Sequence, residues 1–216
     1  MKENNPTEEA LARIKSAVLE GDMENTAQLA TTALSQGVDA QDILNQALTP
    51  AMSIVGEEYE KGDRYVPEML ISAEAMKCAL SELRPLLAEA GVKPRGVIVI
   101  GTVEGDLHDI GKDLVAMILE GAGFEVIDLG VEVTAEAFVQ AVRKHNPNIL
   151  AMSALLTTTM IHTPEVIEAL EEAGLRDQVK VIVGGAPVTQ EYANEIGADG
   201  YAPDAASASK LAASLL

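Results

Sequence analysis

One short segment of the 216-residue chain carries residue types and a spacing that could do chemistry. Residues 105–111 read GDLHDIG, which places His108, one of three histidines, between Asp106 and Asp109. An imidazole can ligate a metal through one ring nitrogen, and a carboxylate that accepts the proton of the other nitrogen fixes the tautomer and raises ligand basicity. A loop histidine held by neighbouring carboxylates would show the same spacing. The elements around the segment decide between the two interpretations.

The segment follows the first of five short β-branched runs. The hydrophobic pattern predicts strands at 97–101, 124–130, 148–155, 180–185 and 200–203, and helices at about 110–122, 134–145, 163–173, 188–196 and 204–215. Continuous apolar strands that alternate with helices indicate a doubly wound, flavodoxin- or Rossmann-like α/β domain with a five-stranded parallel sheet. Such folds bind ligands beyond the carboxyl ends of their strands, near the point where the strand order reverses. We therefore expect the stretches GTVEGDLHDIG, SALLTTTMIHT, GGAP and APDAAS to meet at one edge of the sheet.

The first part of the chain has a helical period instead. Four helices separated by very short turns are predicted, which favours a compact antiparallel four-helix bundle. The third helix should kink near Pro50 and end at Gly62, and the fourth should run from about Pro67 to Gly91. We expect two domains, a helical cap at 1–91 and an α/β domain at 92–216.

The composition excludes several classes of function. Fifteen Lys and Arg against 34 Asp and Glu give a net charge of −19, which argues against nucleic-acid partners and anionic membranes. The single cysteine, Cys78, excludes an internal disulfide and a multi-cysteine metal cluster. No apolar run approaches the roughly 18 residues of a membrane span, and the start lacks a signal-peptide pattern. We expect a cytoplasmic protein.

Other chemistries of an α/β loop suit the segment less well. A P-loop has four residues between its glycines, whereas five separate Gly105 from Gly111, and two nearby aspartates would repel phosphate. A phospho-accepting receiver domain needs an aspartate at the end of the third strand, where Ser153 stands. A hydrolase would need a nucleophile elbow, and no G-x-S-x-G is present. A metal remains, and one histidine is too little for an all-protein site, so the other ligands should come from a macrocycle.

At these residues the chain resembles the cobalamin-binding module of cobalamin-dependent methionine synthase and the small corrinoid proteins of anaerobic methyltransferase systems. The signature D-x-H-x-x-G, then S-x-L, then G-G is matched in order by residues 106–111, 153–155 and 184–185. The stretch VGEEYEKGDRYVPEMLISAEAM at 55–76 resembles the helical cap of such modules. The resemblance thus covers both predicted domains.

The resemblance implies roles for individual residues. Cobalamin would bind with its own base displaced, with His108 as the lower axial ligand of cobalt and Asp106 as the partner of His108. Ser153 would hydrogen-bond the displaced base, and Thr159 would extend the Asp106–His108 network. The resemblance implies further cofactor-binding residues in the α/β domain: Gly105, Asp109, Ile110, Gly111, Leu155, Thr157, Gly184, Gly185 and Ala186. In the cap it implies Tyr59, Val66 and Met69, which would lie over the upper face of the metal. The position of Asp109 also suits a helix N-terminal residue that complements the dipole.

The resemblance further implies a carrier of methyl groups. In turnover a methylcobalamin form would pass the group between a substrate-specific methyltransferase and a second methyltransferase that acts on tetrahydrofolate or coenzyme M. The resemblance also implies a reductive activase as a further partner, and the chain is not expected to turn over alone. Two alternatives stay open. An adenosylcobalamin mutase small subunit shares the histidine loop but commonly lacks the cap, and a cobalamin-sensing regulator would carry a basic DNA-binding module.

Overall fold

The computed structural model describes residues 6–216 of the chain. Contacts divide it into two compact units. A helical unit reaches as far as Lys93 and includes Glu120–Gly123, and an α/β unit consists of Pro94–Leu119 and Phe124–Leu216. None of the helices within residues 6–216 combines the length and the apolar character that a membrane crossing requires.

The helical unit is built from apolar faces that pack on one another. Its elements are α1 (Pro6–Glu20), α2 (Met23–Ser35), α3 (Ala40–Asp42), a π-helical segment (Ile43–Leu48), α4 (Thr49–Lys61) and α5 (Val66–Glu89). Helix α5 packs mainly against α2, and α1 packs against α2 and α4. Small side chains such as Ala30, Ala33 and Ala75 are fully or almost fully buried, so the helices can approach closely.

The predicted third helix is interrupted at the position that the sequence indicated. Helices α3 and α4 are joined by the π-helical segment, and the Thr49 N–H donates to the Leu44 carbonyl, five residues back. Pro50 follows directly. It has no N–H to donate, and its ring would clash with the carbonyl four residues back, so the wider π turn accommodates it. The helix ends at Gly62, which caps it in the left-handed conformation with a φ of +78°.

The α/β unit contains the predicted alternation of strands and helices. Its elements are β1 (Val97–Thr102), α6 (Ile110–Gly121), β2 (Glu125–Asp128), α7 (Ala135–His145), β3 (Ile149–Ser153), α8 (His162–Glu172), a 3₁₀ turn (Arg176–Gln178), β4 (Lys180–Gly184), α9 (Gln190–Glu195), β5 (Gly200–Tyr201) and α10 (Ala205–Ser214). All strand pairs are parallel, and the strand order is β2-β1-β3-β4-β5. The predicted fold class is confirmed.

This strand order determines where a ligand can bind. The order reverses between β1 and β3, so the loops that follow these two strands flank the crevice of a flavodoxin-like sheet. On one face of the sheet, buried residues of β1, β3 and β4 pack against α7 and α8 around Phe138, Val166 and Leu170. The apolar core therefore fixes the strands, and the loops at their carboxyl ends are free to carry polar groups.

Four of the five strands, β2 to β5, end earlier than the sequence pattern predicted, and β3 and β2 show the physical reason. The third was expected to reach residue 155, but β3 ends at Ser153. The Ala154 N–H still donates to the Gly184 carbonyl, whereas the Leu155 N–H turns to the carboxylate of Asp106. The second strand was expected at 124–130 and ends at Asp128, whose side chain accepts from the Gly130 N–H. In both cases a side-chain acceptor replaces a ladder partner.

Candidate functional site

The site is built on the loop that connects β1 to α6. A turn brings the chain round at Gly105, which has a φ of +76°, and the Asp106 N–H donates to the Val103 carbonyl at 3.2 Å. An added Cβ at Gly105 would meet Thr159 Cγ2 only at 3.8 Å, so glycine is favoured there by backbone conformation and not by lack of space. The turn places Asp106 below the loop and His108 at its surface.

Asp106 and His108 form a close pair. Asp106 is completely buried, whereas about half of the His108 side chain is exposed. Asp106 Oδ1 lies 2.6 Å from His108 Nδ1 and also accepts the His108 backbone N–H at 3.1 Å. Because an ionised carboxylate can only accept, Nδ1 carries the proton. The other ring nitrogen, Nε2, is bonded to no group of the described residues and is left as the basic nitrogen.

The loop after β3 holds the second oxygen of the same carboxylate. Asp106 Oδ2 accepts the Leu155 N–H at 2.7 Å and the Thr159 hydroxyl at 2.6 Å. Thr159 itself is buried and accepts the Leu156 N–H at 3.3 Å. The two loops that flank the reversal of strand order are therefore joined through one carboxylate.

These contacts determine the protonation state of Asp106. Burial alone would raise its pKa, because a buried charge loses hydration. The hydrogen bonds from Thr159, Leu155 and His108 outweigh burial and hold the pKa of the Asp106 carboxyl well below its ordinary value. The carboxylate thus stays ionised and acts as a permanent acceptor for the imidazole.

Two further contacts hold the backbone of the pair, and the sequence motif did not reveal them. The buried Thr102 hydroxyl donates to the His108 carbonyl at 3.0 Å. The Glu132 N–H donates to the Asp106 carbonyl at 3.1 Å. A buried threonine at the end of a central strand is the sequence signal for the first contact, whereas the second uses a backbone N–H and leaves no signal in the residue type.

The glycine pair after β4 lies at the same edge of the sheet. Gly185 has a φ of +122°, and an added Cβ would lie 1.8 Å from the Ala154 carbonyl oxygen. An added Cβ at Gly184 would lie 2.9 Å from the Ala202 carbonyl oxygen. Glycine is therefore required here by the close approach of neighbouring backbone, a reason that is independent of any ligand.

The other predicted site residues of the α/β unit surround these loops. Ser153 ends β3 and is partly exposed, and Thr157 and Ala186 are exposed in the loops after β3 and β4. Asp109 directly precedes α6, and its carbonyl accepts the Asp113 N–H at 2.7 Å. Ile110 and Gly111 begin the helix, and no heavy atom lies within 4 Å of a Cβ added at Gly111.

Exposed apolar side chains belong to both loops that hold the Asp106–His108 pair. Leu107 is 65 % exposed, Ile110 is 77 % exposed and Leu155 is 40 % exposed. Large apolar side chains that stay exposed beside a polar site are typical of a ligand or interaction surface. No group of three or more His, Cys, Asp or Glu side chains within residues 6–216 is arranged to hold a metal ion. A half-exposed imidazole with an oriented tautomer, beside exposed apolar side chains, fits a metal that a large cofactor brings with it.

The three predicted cap residues lie in the helical unit. Tyr59 is on α4 and partly exposed, Val66 begins α5, and Met69 on α5 is fully buried. Their placement over a metal stays a prediction.

Comparison with known proteins agrees with this arrangement. Two family models, each described as a B12 binding domain, match residues 96–210 and residues 10–84. Trimethylamine corrinoid protein 1 of Methanosarcina mazei is 45 % identical over 212 residues, which cover 97 % of this chain and 98 % of that protein. The chain belongs to the corrinoid proteins. The predicted resemblance is confirmed, and so is cobalamin as the cofactor of the family.

Other corrinoid proteins show the same extent of similarity. Dimethylamine corrinoid protein 1 of Methanosarcina acetivorans is 41 % identical over 211 residues, which cover 97 % of this chain and 98 % of the relative. The crystal structure of the methanol:cobalamin methyltransferase complex MtaBC from Methanosarcina barkeri contains a chain with a TM-score of 0.86 and 33 % identity; the match covers 99 % of this corrinoid protein and 82 % of that chain. Both the helical and the α/β residues are therefore shared with corrinoid proteins.

Proposed function

We propose that the chain is the methyl-carrying corrinoid subunit of a methyltransferase system, with a cap at 1–91 and a cobalamin-binding domain at 92–216. One observation carries the proposal. A half-exposed imidazole, His108, has its Nδ1 engaged by a buried, ionised carboxylate at the edge of the sheet where such folds bind ligands. The relatives that match nearly the whole chain are corrinoid proteins.

The residues of this site would hold the cofactor in distinct ways. His108 would ligate cobalt through Nε2, because Asp106 accepts the proton of Nδ1 and leaves Nε2 basic. Thr159 and the Leu155 N–H would keep Asp106 ionised and aligned. The motif assigns Ser153, Gly184 and Gly185 to the displaced base and the nucleotide tail.

The protein and the cofactor would contribute different parts of the chemistry. Cobalamin supplies a cobalt ion that can take up and give away a methyl group. His108 contributes one ligand of fixed tautomer, and Asp106 holds the Nδ1 proton in place throughout. The roles proposed for Tyr59, Val66 and Met69 above the metal are supported by the cap motif at 55–76.

Two methyltransferases would act on this subunit in turn. The relatives are named for trimethylamine and dimethylamine, and the structural neighbour is part of a methanol:cobalamin methyltransferase complex. We therefore expect one partner to load a methyl group from a small methylated compound and the other to pass it to tetrahydrofolate or coenzyme M. The match over both domains favours this role over a mutase subunit or a regulator. A cytoplasmic location stays a prediction.

The experiment that tests the proposal measures cobalamin binding and methyl loading by a partner methyltransferase. His108→Gly should weaken binding and slow the transfer of an isotopically labelled methyl group to the reconstituted protein, and free imidazole should restore part of both. His145→Gln is the control, because His145 ends α7 and no motif includes it. Unchanged affinity and transfer in His108→Gly would contradict the proposal.

A further inference from the structure

Lys112 stands where a cation is unfavourable. It belongs to the first turn of α6, where the helix dipole opposes positive charge, and its side chain is 2 % exposed. Its ammonium group donates to Asp113 Oδ1 at 2.5 Å and to Asp128 Oδ2. Burial lowers the pKa of Lys112, but the two carboxylates outweigh burial, and the net shift is upward. The side chain is therefore a buried, charged bridge between the start of α6 and the end of β2.

The bridge continues to the backbone of His108. Asp128 ends β2, and its Oδ1 accepts the Gly130 N–H at 2.8 Å. The Gly130 carbonyl accepts the Thr102 N–H at 3.0 Å. The Thr102 hydroxyl in turn donates to the His108 carbonyl at 3.0 Å. Each step is a direct hydrogen bond.

The same segment, residues 128–132, also holds the partner of the histidine. The Glu132 N–H donates to the Asp106 carbonyl at 3.1 Å. Glu132 has a φ of +52°, a conformation that a non-glycine residue keeps only when its surroundings impose it. The segment therefore has a defined shape, and it contacts the backbone of Asp106 directly and that of His108 through Thr102.

We propose that Lys112 is a positioning residue for His108. Lys112 fixes the segment 128–132 through Asp128, and the segment holds the backbone of the Asp106–His108 pair. Because this role presumes that His108 ligates cobalt, it rests on the proposed function. Because removal of one partner of a buried ion pair can itself destabilise a protein, the test needs a readout at cobalt that a purely structural role would not change. After removal of Lys112, the carboxylates of Asp113 and Asp128 could hydrate, because they are 48 % and 39 % exposed.

The test uses the full chain reconstituted with cob(II)alamin. Lys112→Met should lower cobalamin affinity on the order of ten-fold, the lower end of what outer partners of metal ligands contribute. The electron paramagnetic spectrum should show imidazole nitrogen coupling in only part of the bound population. Arg176→Met is the control. It breaks the pair with Asp199 at 2.8 Å, and the Arg176 side chain is 19 % exposed. We expect this control to lower stability while affinity and spectrum stay as in the wild type.

A second variant keeps the test decisive if Lys112→Met does not fold. Asp128→Asn retains an oxygen for the Gly130 N–H and removes the charge, and it should shift affinity and spectrum in the same direction. Thr102→Val lies on the same route, so its loss of affinity should combine less than additively with that of either variant. Fully additive losses, or wild-type spectra in the Lys112 and Asp128 variants, would overturn the positioning role. A wild-type spectrum without imidazole coupling would instead overturn the proposed function, and this role with it.

Discussion

Thr159→Val removes one of the contacts that keep Asp106 ionised. The substitution is nearly isosteric, but it removes a hydroxyl that donates to Asp106 Oδ2 at 2.6 Å and leaves the Leu156 N–H without its acceptor. A hydrogen bond to a charged group contributes about 1.5–3 kcal/mol, and a neutral one contributes about 0.5–1.5 kcal/mol. We expect Thr159→Val, which loses both contacts, to lower the free energy of unfolding of the cofactor-free protein by about 3 kcal/mol at neutral pH and to raise the pKa of Asp106 towards its ordinary value.

Thr163→Val is the matched control in the same region. Thr163 is also buried, but its hydroxyl contacts neutral groups: it donates to the Met160 carbonyl at 2.7 Å and lies 3.2 Å from the Tyr192 hydroxyl. Urea unfolding followed by circular dichroism should show a loss of about 1.5 kcal/mol for this variant, roughly half of that for Thr159→Val. Cobalamin affinity should fall only in Thr159→Val. Equal losses of stability in the two variants would refute the reasoning that the charge of Asp106 strengthens the contact.

Three further variants probe the α/β unit. Asp106→Asn should lower cobalamin affinity by about 10- to 100-fold, measured by titration. The amide nitrogen of asparagine cannot accept a hydrogen bond, so the donors to one of the two Asp106 oxygens would lose their acceptor. Gly185→Ala should destabilise the fold by more than about 3 kcal/mol, since its Cβ would collide with the Ala154 carbonyl. Gly105→Ala should cost about 1–2 kcal/mol of stability, because only its backbone conformation is unfavourable for alanine. Equal losses of stability in the two variants would contradict the packing argument. Burial raises the pKa of Asp199, but hydrogen bonds from Val181, Lys180 and Arg176 lower it overall. The ionised Asp199 therefore stabilises the fold above pH 3.8, and this contribution is lost as the pH falls through the lower pKa of the folded state. The stability deficit of Asp199→Asn in urea should therefore shrink, and not grow, below that pH.

The sequence predicted the elements well because their periodicity is strong. Continuous apolar strands and short turns predicted the five strands and the bundle, and the family resemblance implied the network of His108, Asp106 and Thr159. Strand ends were less predictable. Leu155 continues an apolar run, so the pattern includes it in the strand, but its N–H bonds to Asp106 instead. A side-chain acceptor from a distant loop is invisible to a local pattern.

The residues that hold the backbone of the site in place could also not be predicted from their types. Glu132 acts through its backbone N–H, and Lys112 looks in sequence like a solvated charge on a helix. Its burial follows from the pairing of β1 with β2, which brings Asp128 beside the first turn of α6. Contacts of this kind depend on the strand order, which a local sequence pattern does not determine.

The most direct test of the central claim is the electron paramagnetic spectrum of the cob(II)alamin-loaded protein after labelling of its histidines with ¹⁵N. We predict superhyperfine splitting from a single imidazole nitrogen, which changes from the ¹⁴N to the ¹⁵N pattern on labelling and disappears in His108→Gly. A splitting that does not respond to the label, as expected for the cofactor's own base, or a spectrum typical of a water ligand, would contradict the claim that His108 ligates cobalt.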